Sequence, residues 1–190
     1  MGRSAKYDKD AILDAALDLI AREGPAAATV AAIAARLGAP TGSIYHRFAS
    51  RDLIVAELWI RGIRRFQTGF VHALRAGDIE SAALHGVRWC RAHPIEAAVL
   101  LMHRREDLAR RWPTELGAAL TTLNDDAAAA YRALLKQHPD LDPHRVGFAV
   151  FDLPAGAVRR HIAELQPPPP WVDDLVRTTV RAVLETPLPR

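Results

Sequence analysis

An all-α fold in two parts is predicted by three features of this 190-residue sequence. Apolar residues recur with helical spacing almost throughout, and no stretch of useful length alternates in the manner of a β-strand. Gly and Pro interrupt the pattern at intervals that suit helix ends. Hydrophobic residues make up 49% of the chain and charged residues 25%, which is a globular composition. We expect a small domain over residues 1–50 and a larger helical domain over residues 51–190.

The composition argues against several classes of protein. No apolar run is long enough to span a membrane, and charged residues from Asp8 to Asp10 stand where a secretory signal would be apolar. Because Cys90 is the single cysteine, an internal disulfide and a cysteine zinc cluster are excluded, and we expect a cytoplasmic protein. The net charge is only +3, with seven basic and seven acidic residues before residue 60. A nucleic-acid partner would therefore have to be bound through a few placed residues.

The first fifty residues predict three helices. The first runs from Asp8 to Gly24, and its apolar residues form one stripe. Thr29 is a suitable N-cap for a second helix that ends at Gly38. The third lies within residues 41–48, with Ile44 and Phe48 directed inwards. Only two or three residues separate the second helix from the third, which is the layout of a helix-turn-helix.

The remaining chain predicts long amphipathic helices. Ser50 is expected to cap the first of them. Gly and Pro breaks place the helices at about 51–76, 79–92, 94–111, 114–137, 143–164 and 171–185. Pro154 should kink or split the helix at 143–164, and the four prolines from Pro167 to Pro170 should form a stiff loop.

The third predicted helix has the chemistry of a recognition helix. Such a helix carries small or polar residues where it meets the base edges, and here it begins with Thr41, Gly42 and Ser43. Gly42 permits close approach of the backbone, and Tyr45 and His46 follow one turn later. The predicted DNA contacts are these five residues together with Lys6, Thr29 and Arg51, the last through its guanidinium fork on a phosphate. Most of them would position the protein and would not select a base.

Residues 29–58 resemble the TetR family of transcriptional regulators. The matching residues are Ile33-Ala34, Gly38, Gly42-Ser43, Tyr45, Phe48 and Ser50-Arg51. Pro40 stands where the family commonly has a capping Ser, and Thr41 where it often has a basic residue.

The resemblance implies a homodimer that pairs mainly through its last two helices, here about 143–164 and 171–185. It implies one recognition helix per half-site of a palindromic operator in double-stranded DNA, with half-site centres about 34 Å or somewhat more apart. It also implies a pocket for a small-molecule effector among the middle helices, whose occupation moves the fourth helix and releases a repressor from DNA.

Alternatives remain for several of these residues. Phe48 is expected in the core, but Tyr45 is expected outside it because the resemblance directs its hydroxyl to the DNA backbone. His46 is either a DNA contact or a solvated surface residue, and Lys6 with Arg3 is either an arm on DNA or a frayed end. Candidate pocket residues, each also compatible with ordinary core or helix surface, are Trp59, Phe66, Phe70, Trp89, Met102, His103, Trp112, Asn124, Tyr131, Phe148 and Phe151.

Enzyme and metal chemistry find little support in the sequence. It has no Gly-x-Ser-x-Gly, no phosphate-binding glycine loop and no HExxH motif, so we expect no catalytic residues and no cofactor. Cys90-x-x-His93 and His103-x-x-Glu106 have helical spacing, but neither completes a metal site. The alternative to a DNA-binding regulator is a helical ligand-binding or protein-interaction module without specific DNA binding, which Pro40 and the weak charge balance suggest.

Overall fold

Helices account for most of the computed structural model, which describes residues 7–185. Within that range the chain forms twelve α-helices and no β-strand, which confirms the predicted all-α fold. The N-terminal helices are α1 (Lys9–Glu23), α2 (Val30–Leu37), α3 (Thr41–Tyr45) and α4 (Arg51–Arg75). They are followed by α5 (Ile79–Ala92), α6 (Pro94–Met102), α7 (Arg105–Arg111), α8 (Pro113–Thr121), α9 (Asp125–Gln137), α10 (Pro143–Gly147), α11 (Leu153–Ala163) and α12 (Trp171–Glu185). None of the helices in the described range combines the length and the hydropathy that crossing a membrane requires.

Capping residues set the ends of the N-terminal helices. The side chain of Thr29 accepts a hydrogen bond from Ala32 N at 3.1 Å, and that of Ser50 accepts one from Leu53 N at 3.2 Å. Gly38 ends α2 with φ 61° and ψ 35°, the left-handed conformation that favours glycine. The predicted caps at these three residues are confirmed. A 3₁₀ turn, Pro25–Ala27, joins α1 to α2.

The predictions of single helices at 94–111 and at 114–137 are wrong, because each segment forms two helices in the structure. Residues 94–111 form α6 and α7, which extended backbone at His103 (φ −136°, ψ 155°) separates. Residues 114–137 form α8 and α9, which residues 122–124 separate. Neither break contains a glycine or a proline, so the residues themselves do not reveal it. The splits fold α7 and α8 back, and this buries Leu108, Leu116 and Leu120.

Pro154 changes the helix at 143–164, as predicted. A π-helical turn, Phe148–Asp152, joins α10 to α11 directly before this proline. Proline has no N–H to donate to the preceding helical turn, so a regular α-helix cannot continue through it unchanged. The wider turn keeps the segment helical and leaves Pro154 buried at the start of α11.

Two buried clusters lie along α4. The first contains residues of α1–α3, the beginning of α4 and α6–α8. The second contains the end of α4 with α5, part of α6 and α9–α12. Leu100 of α6 packs against both clusters. The first cluster thus draws residues from both sides of position 50, and the division into domains 1–50 and 51–190 stays a prediction.

Candidate DNA-binding face and ligand cavity

The helix-turn-helix formed by α2 and α3 is held together by its turn and by two anchors. Ala39 N donates to Ala34 O at 2.9 Å, and Ser43 N donates to Pro40 O at 2.9 Å, so Pro40 begins α3 without a side-chain cap. Ile44 is fully buried and Phe48 is 1% exposed, as predicted for inward-facing residues. These two side chains fix α3 on the first cluster, and its opposite side faces solvent.

The predicted DNA contacts on α3 lie together on that outer side. Thr41, Gly42 and His46 are exposed, Ser43 is half-buried, and Tyr45 is 54% exposed. A Cβ added to Gly42 would meet no atom within 4 Å, so packing within the molecule does not require glycine there. Thr29 is also exposed, and its hydroxyl already caps α2. Their role on DNA stays a prediction.

Arg51 has a structural role that the sequence did not predict. Its Nη2 donates to Pro25 O at 2.5 Å and its Nε to Ala28 O at 3.3 Å, so the side chain joins the 3₁₀ turn to the start of α4. A phosphate contact would compete with these bonds, and it stays a prediction. Lys6 and Arg3 lie outside the described residues.

Two further residues of the helix-turn-helix were missed in the sequence. The hydroxyl of Tyr7 donates to Gly38 O at 2.9 Å and fastens the segment before α1 to the turn between α2 and α3. Arg47 Nη1 donates to Ser43 O at 3.3 Å across the end of α3. Tyr7 precedes the first helix and has no periodic signal, so only tertiary structure reveals its contact.

A cavity of about 530 Å³ lies in the second half of the molecule. Its walls come from α4, α5, α6, α9 and the π turn with α11. Five aromatic side chains line it and contact one another in the order Trp89, Phe66, Phe70, Phe151 and Tyr131. Neighbouring ring centroids in this series are 5.1 to 5.6 Å apart, which is the spacing of favourable aromatic pairs.

The polar side chains of the cavity wall are few, and three of them each make one hydrogen bond within the protein. Gln67 Nε2 donates to Asn124 Oδ1 at 2.9 Å, and the Tyr131 hydroxyl donates to Pro143 O at 2.9 Å. Burial raises the pKa of the Cys90 thiol to about 11, so the thiol is neutral at pH 7. Arg159 carries the charge on the wall, and no Asp, Glu, Lys or His is among the lining residues.

The predicted pocket residues divide into two groups. The cavity brings together Phe66, Phe70, Trp89, Asn124, Tyr131 and Phe151. Trp59, Met102, His103, Trp112 and Phe148 do not line it.

The residues outside the cavity lie in the first cluster, at a helix break or on the surface. Trp59 is buried in the first cluster and donates from Nε1 to Leu100 O at 3.2 Å, and Met102 and Trp112 pack against that cluster. His103 lies at the break after α6, where burial lowers its pKa below the usual 6.5. Phe148 is 45% exposed on the π turn.

The loop of prolines is fixed to the second cluster by Arg91. The guanidinium donates from Nε to Pro168 O at 2.7 Å and from Nη2 to Pro169 O at 3.1 Å, and it pairs with Asp173. Burial alone would raise the pKa of Asp173, but Arg91 and Arg88 outweigh it and lower that pKa. Among residues 7–185, no group of three or more His, Cys, Asp or Glu side chains could hold a metal ion.

The fold and these two sites define a helix-turn-helix protein whose second part is a helical bundle with an internal cavity. The family model of bacterial regulatory proteins of the tetR family matches residues 12–58, the segment from α1 into α4. Residues 12–58 thus match the DNA-binding segment of the TetR family of transcriptional regulators, which confirms the resemblance found in the sequence.

Solved structures share the fold over nearly the whole chain. PfmR, a TetR family transcriptional regulator from Thermus thermophilus, is 20% identical with a TM-score of 0.62, over 94% of this chain and 99% of that one. The fatty acid degradation regulator FadR from Bacillus halodurans is 17% identical with a TM-score of 0.67, over 97% of each chain. The multidrug binding protein EbrR, solved with imidazole, is 21% identical with a TM-score of 0.57, over 95% of this chain and 96% of that one. No curated protein sequence matches the chain.

Proposed function

We propose that this chain is a homodimeric, ligand-responsive repressor that binds a palindromic operator through α3 and leaves it when a small molecule occupies the cavity. The observation that carries the proposal is the course of α4. Helix α4 begins at Arg51, three residues after Phe48, which anchors α3. Phe66 and Phe70, near the other end of α4, line the cavity. One continuous helix therefore joins the candidate DNA-binding face to the candidate ligand site. That EbrR is described as a multidrug binding protein and was solved with imidazole supports a small molecule as the occupant.

An apolar surface on the last helices supports the homodimer. Phe148, Phe151, Trp171 and Leu175 are 43% to 55% exposed on the π turn and α12. The π turn and α12 contact each other, and large apolar side chains exposed on neighbouring elements suit a surface that a partner covers. The predicted pairing helices 143–164 and 171–185 contain all four, so we place the dimer contact there.

DNA-binding anisotropy tests the proposal, with the full chain and a labelled fragment from beside its own gene. We expect saturable binding that prefers this fragment to a scrambled one and weakens as salt rises. An aromatic effector should release the fragment. Weak binding that is equal on both fragments and lost at modest salt would contradict the proposal. It would favour the second candidate, a ligand-binding module without specific DNA binding. The observation that supports this candidate is that Arg51 is bonded to Pro25 and Ala28.

Substitutions on α3 separate backbone contacts from base contacts. Tyr45→Phe removes one exposed hydroxyl and should weaken binding to all sequences alike, by about 1 kcal/mol. Changes at Thr41 or Ser43 should instead alter base preference. Equal losses on all DNAs from both kinds of substitution would contradict this assignment. Thr114→Val serves as a matched control, because it removes an exposed hydroxyl from α8, outside α3 and outside the cavity wall.

A further inference from the structure

We infer that the ligand of the cavity is an apolar aromatic molecule with a single anionic end, of the class of aromatic carboxylates. Its ring system lies among the five aromatic side chains, and its carboxylate pairs with Arg159. The inference rests on the proposed function only in taking this cavity as the ligand site.

The size and the walls of the cavity favour an aromatic body. About 530 Å³ is within the range of small-molecule sites. Phe66, Phe70, Trp89, Tyr131 and Phe151 present both faces and edges of rings, and the contacts among them form a continuous wall. A flat ring system can stack on some of these rings and meet the edges of others.

The polar groups do not suit a ligand with many hydroxyls. Gln67 and Asn124 share one hydrogen bond and Tyr131 donates its proton to Pro143 O, so the side-chain groups that remain to offer a ligand hydrogen bonds are mainly the other atoms of these two amides. A sugar or nucleoside would bury several donors and acceptors that need partners, and each unmatched group costs affinity. The same wall accepts an aromatic ring without disturbing these bonds.

The charge on the wall has one sign. Arg159 is the ionisable residue that is charged at pH 7 among the lining residues, and the wall has no carboxylate to neutralise a cation. The Arg159 side chain is exposed, and no hydrogen bond or ion pair joins its guanidinium to the residues that the structure describes, so its fork is available to a carboxylate. Cation–π contact with the five rings is the competing mode of recognition and would favour a cation.

Three probes with one ring system distinguish these modes. They are 2-naphthylacetic acid, 2-naphthylacetamide and 2-(2-naphthyl)ethylamine, titrated calorimetrically into the full chain at pH 7.5. The acid should bind about three- to fivefold more tightly than the amide, because one ion pair with the exposed Arg159 is gained, and the amine should bind most weakly.

Two neighbouring arginines give matched variants. Arg159→Gln should lower the affinity for the acid to that for the amide and leave the amide unchanged. Arg160→Gln removes an equally exposed charge from the next position of α11, which does not line the cavity, and should change neither affinity. Ala128→Trp places a large ring at an exposed lining position and should abolish binding of all three probes while the circular dichroism of the folded chain is retained.

The other possible results separate the inferred ligand class from the proposed function. Tightest binding of the amine, or an affinity for the acid that Arg159→Gln leaves unchanged, would overturn the inferred ligand class but leave the cavity as a ligand site. Failure of all three probes to bind would overturn both the ligand class and the ligand-responsive part of the proposed function. If the acid binds as expected but does not release operator DNA, the inference stands and the proposed regulation fails.

Discussion

The two buried clusters differ in what fills them. The first is closed by aliphatic side chains such as Ile12, Ile20 and Ile33, each fully buried, and its role is to hold α3 in one position. The second surrounds a cavity of about 530 Å³ with aromatic rings, of which Phe151 is 43% exposed. The contrast teaches that one sequence can combine a helix-turn-helix platform, whose core is filled by its own side chains, with a proposed receptor, whose core leaves room for a ligand. Stabilisation by a ligand is therefore expected mainly in the second cluster.

The largest expected effect compares one phenylalanine from each cluster. Phe48→Ala removes a ring that is 1% exposed, and the free energy of unfolding should fall by about 3–5 kcal/mol. Phe66→Ala should cost less, about 1.5–3 kcal/mol, because its ring is half-buried and borders the cavity. Urea unfolding followed by circular dichroism measures both. Equal losses would show that the two clusters are packed alike and would remove the contrast.

The next effect tests whether the second cluster is tightly packed directly behind the aromatic rings of its cavity. A Cβ at Gly69 would lie 2.4 Å from His85 Cε1, so Gly69→Ala must displace an imidazole that packs on Phe66 and Phe70. We expect a loss of about 1–3 kcal/mol in the free energy of unfolding. Gly117→Ala, where a Cβ meets nothing within 4 Å, should instead stabilise the chain by about 0.5–1 kcal/mol. A gain at both positions would mean that the imidazole moves freely into the cavity.

A third change sharpens the contrast between stability and function on the platform. Gly42→Ala adds a methyl group in open space on α3, so the free energy of unfolding should not fall. Operator affinity should nevertheless drop by about tenfold, because the backbone of α3 can no longer approach DNA as closely. Anisotropy measures the affinity, with Gly117→Ala as the control for a glycine distant from α3. Unchanged affinity would place α3 farther from DNA than we propose.

The smallest effect is a pH dependence that belongs to His85. Burial lowers the pKa of this imidazole below 6.5, and the bond from its Nε2 to Phe66 O at 2.8 Å only partly opposes the shift. The unfolded chain therefore binds more protons as the pH falls from about 6.5 towards the folded pKa, and the folded state loses stability over that interval. We expect a lower urea midpoint at pH 5.5 than at pH 7.5.

Variants assign this pH dependence to its groups. His85→Gln should reduce the change in midpoint, and His103→Gln should reduce it further, because burial lowers the pKa of His103 as well. The carboxyls whose pKa values are lowered, such as Asp78 and Asp142, respond at more acidic pH and leave this interval undisturbed. A midpoint that rises as the pH falls would contradict the assignment.

The sequence predicts the platform better than the receptor. Thr29, Gly38 and Ser50 act on backbone atoms a few residues away, so local chemistry suffices to place the caps and the helix-turn-helix. The two missed breaks, after Met102 and after Thr121, carry no glycine or proline and arise because α7 and α8 fold back onto the first cluster.

The residues that line the cavity could likewise be predicted only in part from the sequence. Phe66, Trp89 and Tyr131 were found because aromatic residues are natural candidates for a pocket. Trp59 was chosen on the same ground but packs in the first cluster, and Arg159 was missed because a single exposed arginine on a helix has no pattern. Which side of a helix meets a cavity depends on how distant segments pack, and this information is not local.

The length of α4 has a mechanical consequence. Its 25 residues give an axis of about 37 Å at 1.5 Å per residue. We expect α4 to tilt about Gly62, because α6 packs closely against it there. A Cβ on Gly62 would lie 3.0 Å from Leu100 Cδ2. The 11 residue steps from Gly62 back to Arg51 span about 17 Å, so a tilt of about 5° would move the α3 end of the helix by about 1.5 Å. In a symmetric dimer the displacements of the two subunits add. A small change of tilt on occupation of the cavity would therefore change the distance between the two copies of α3.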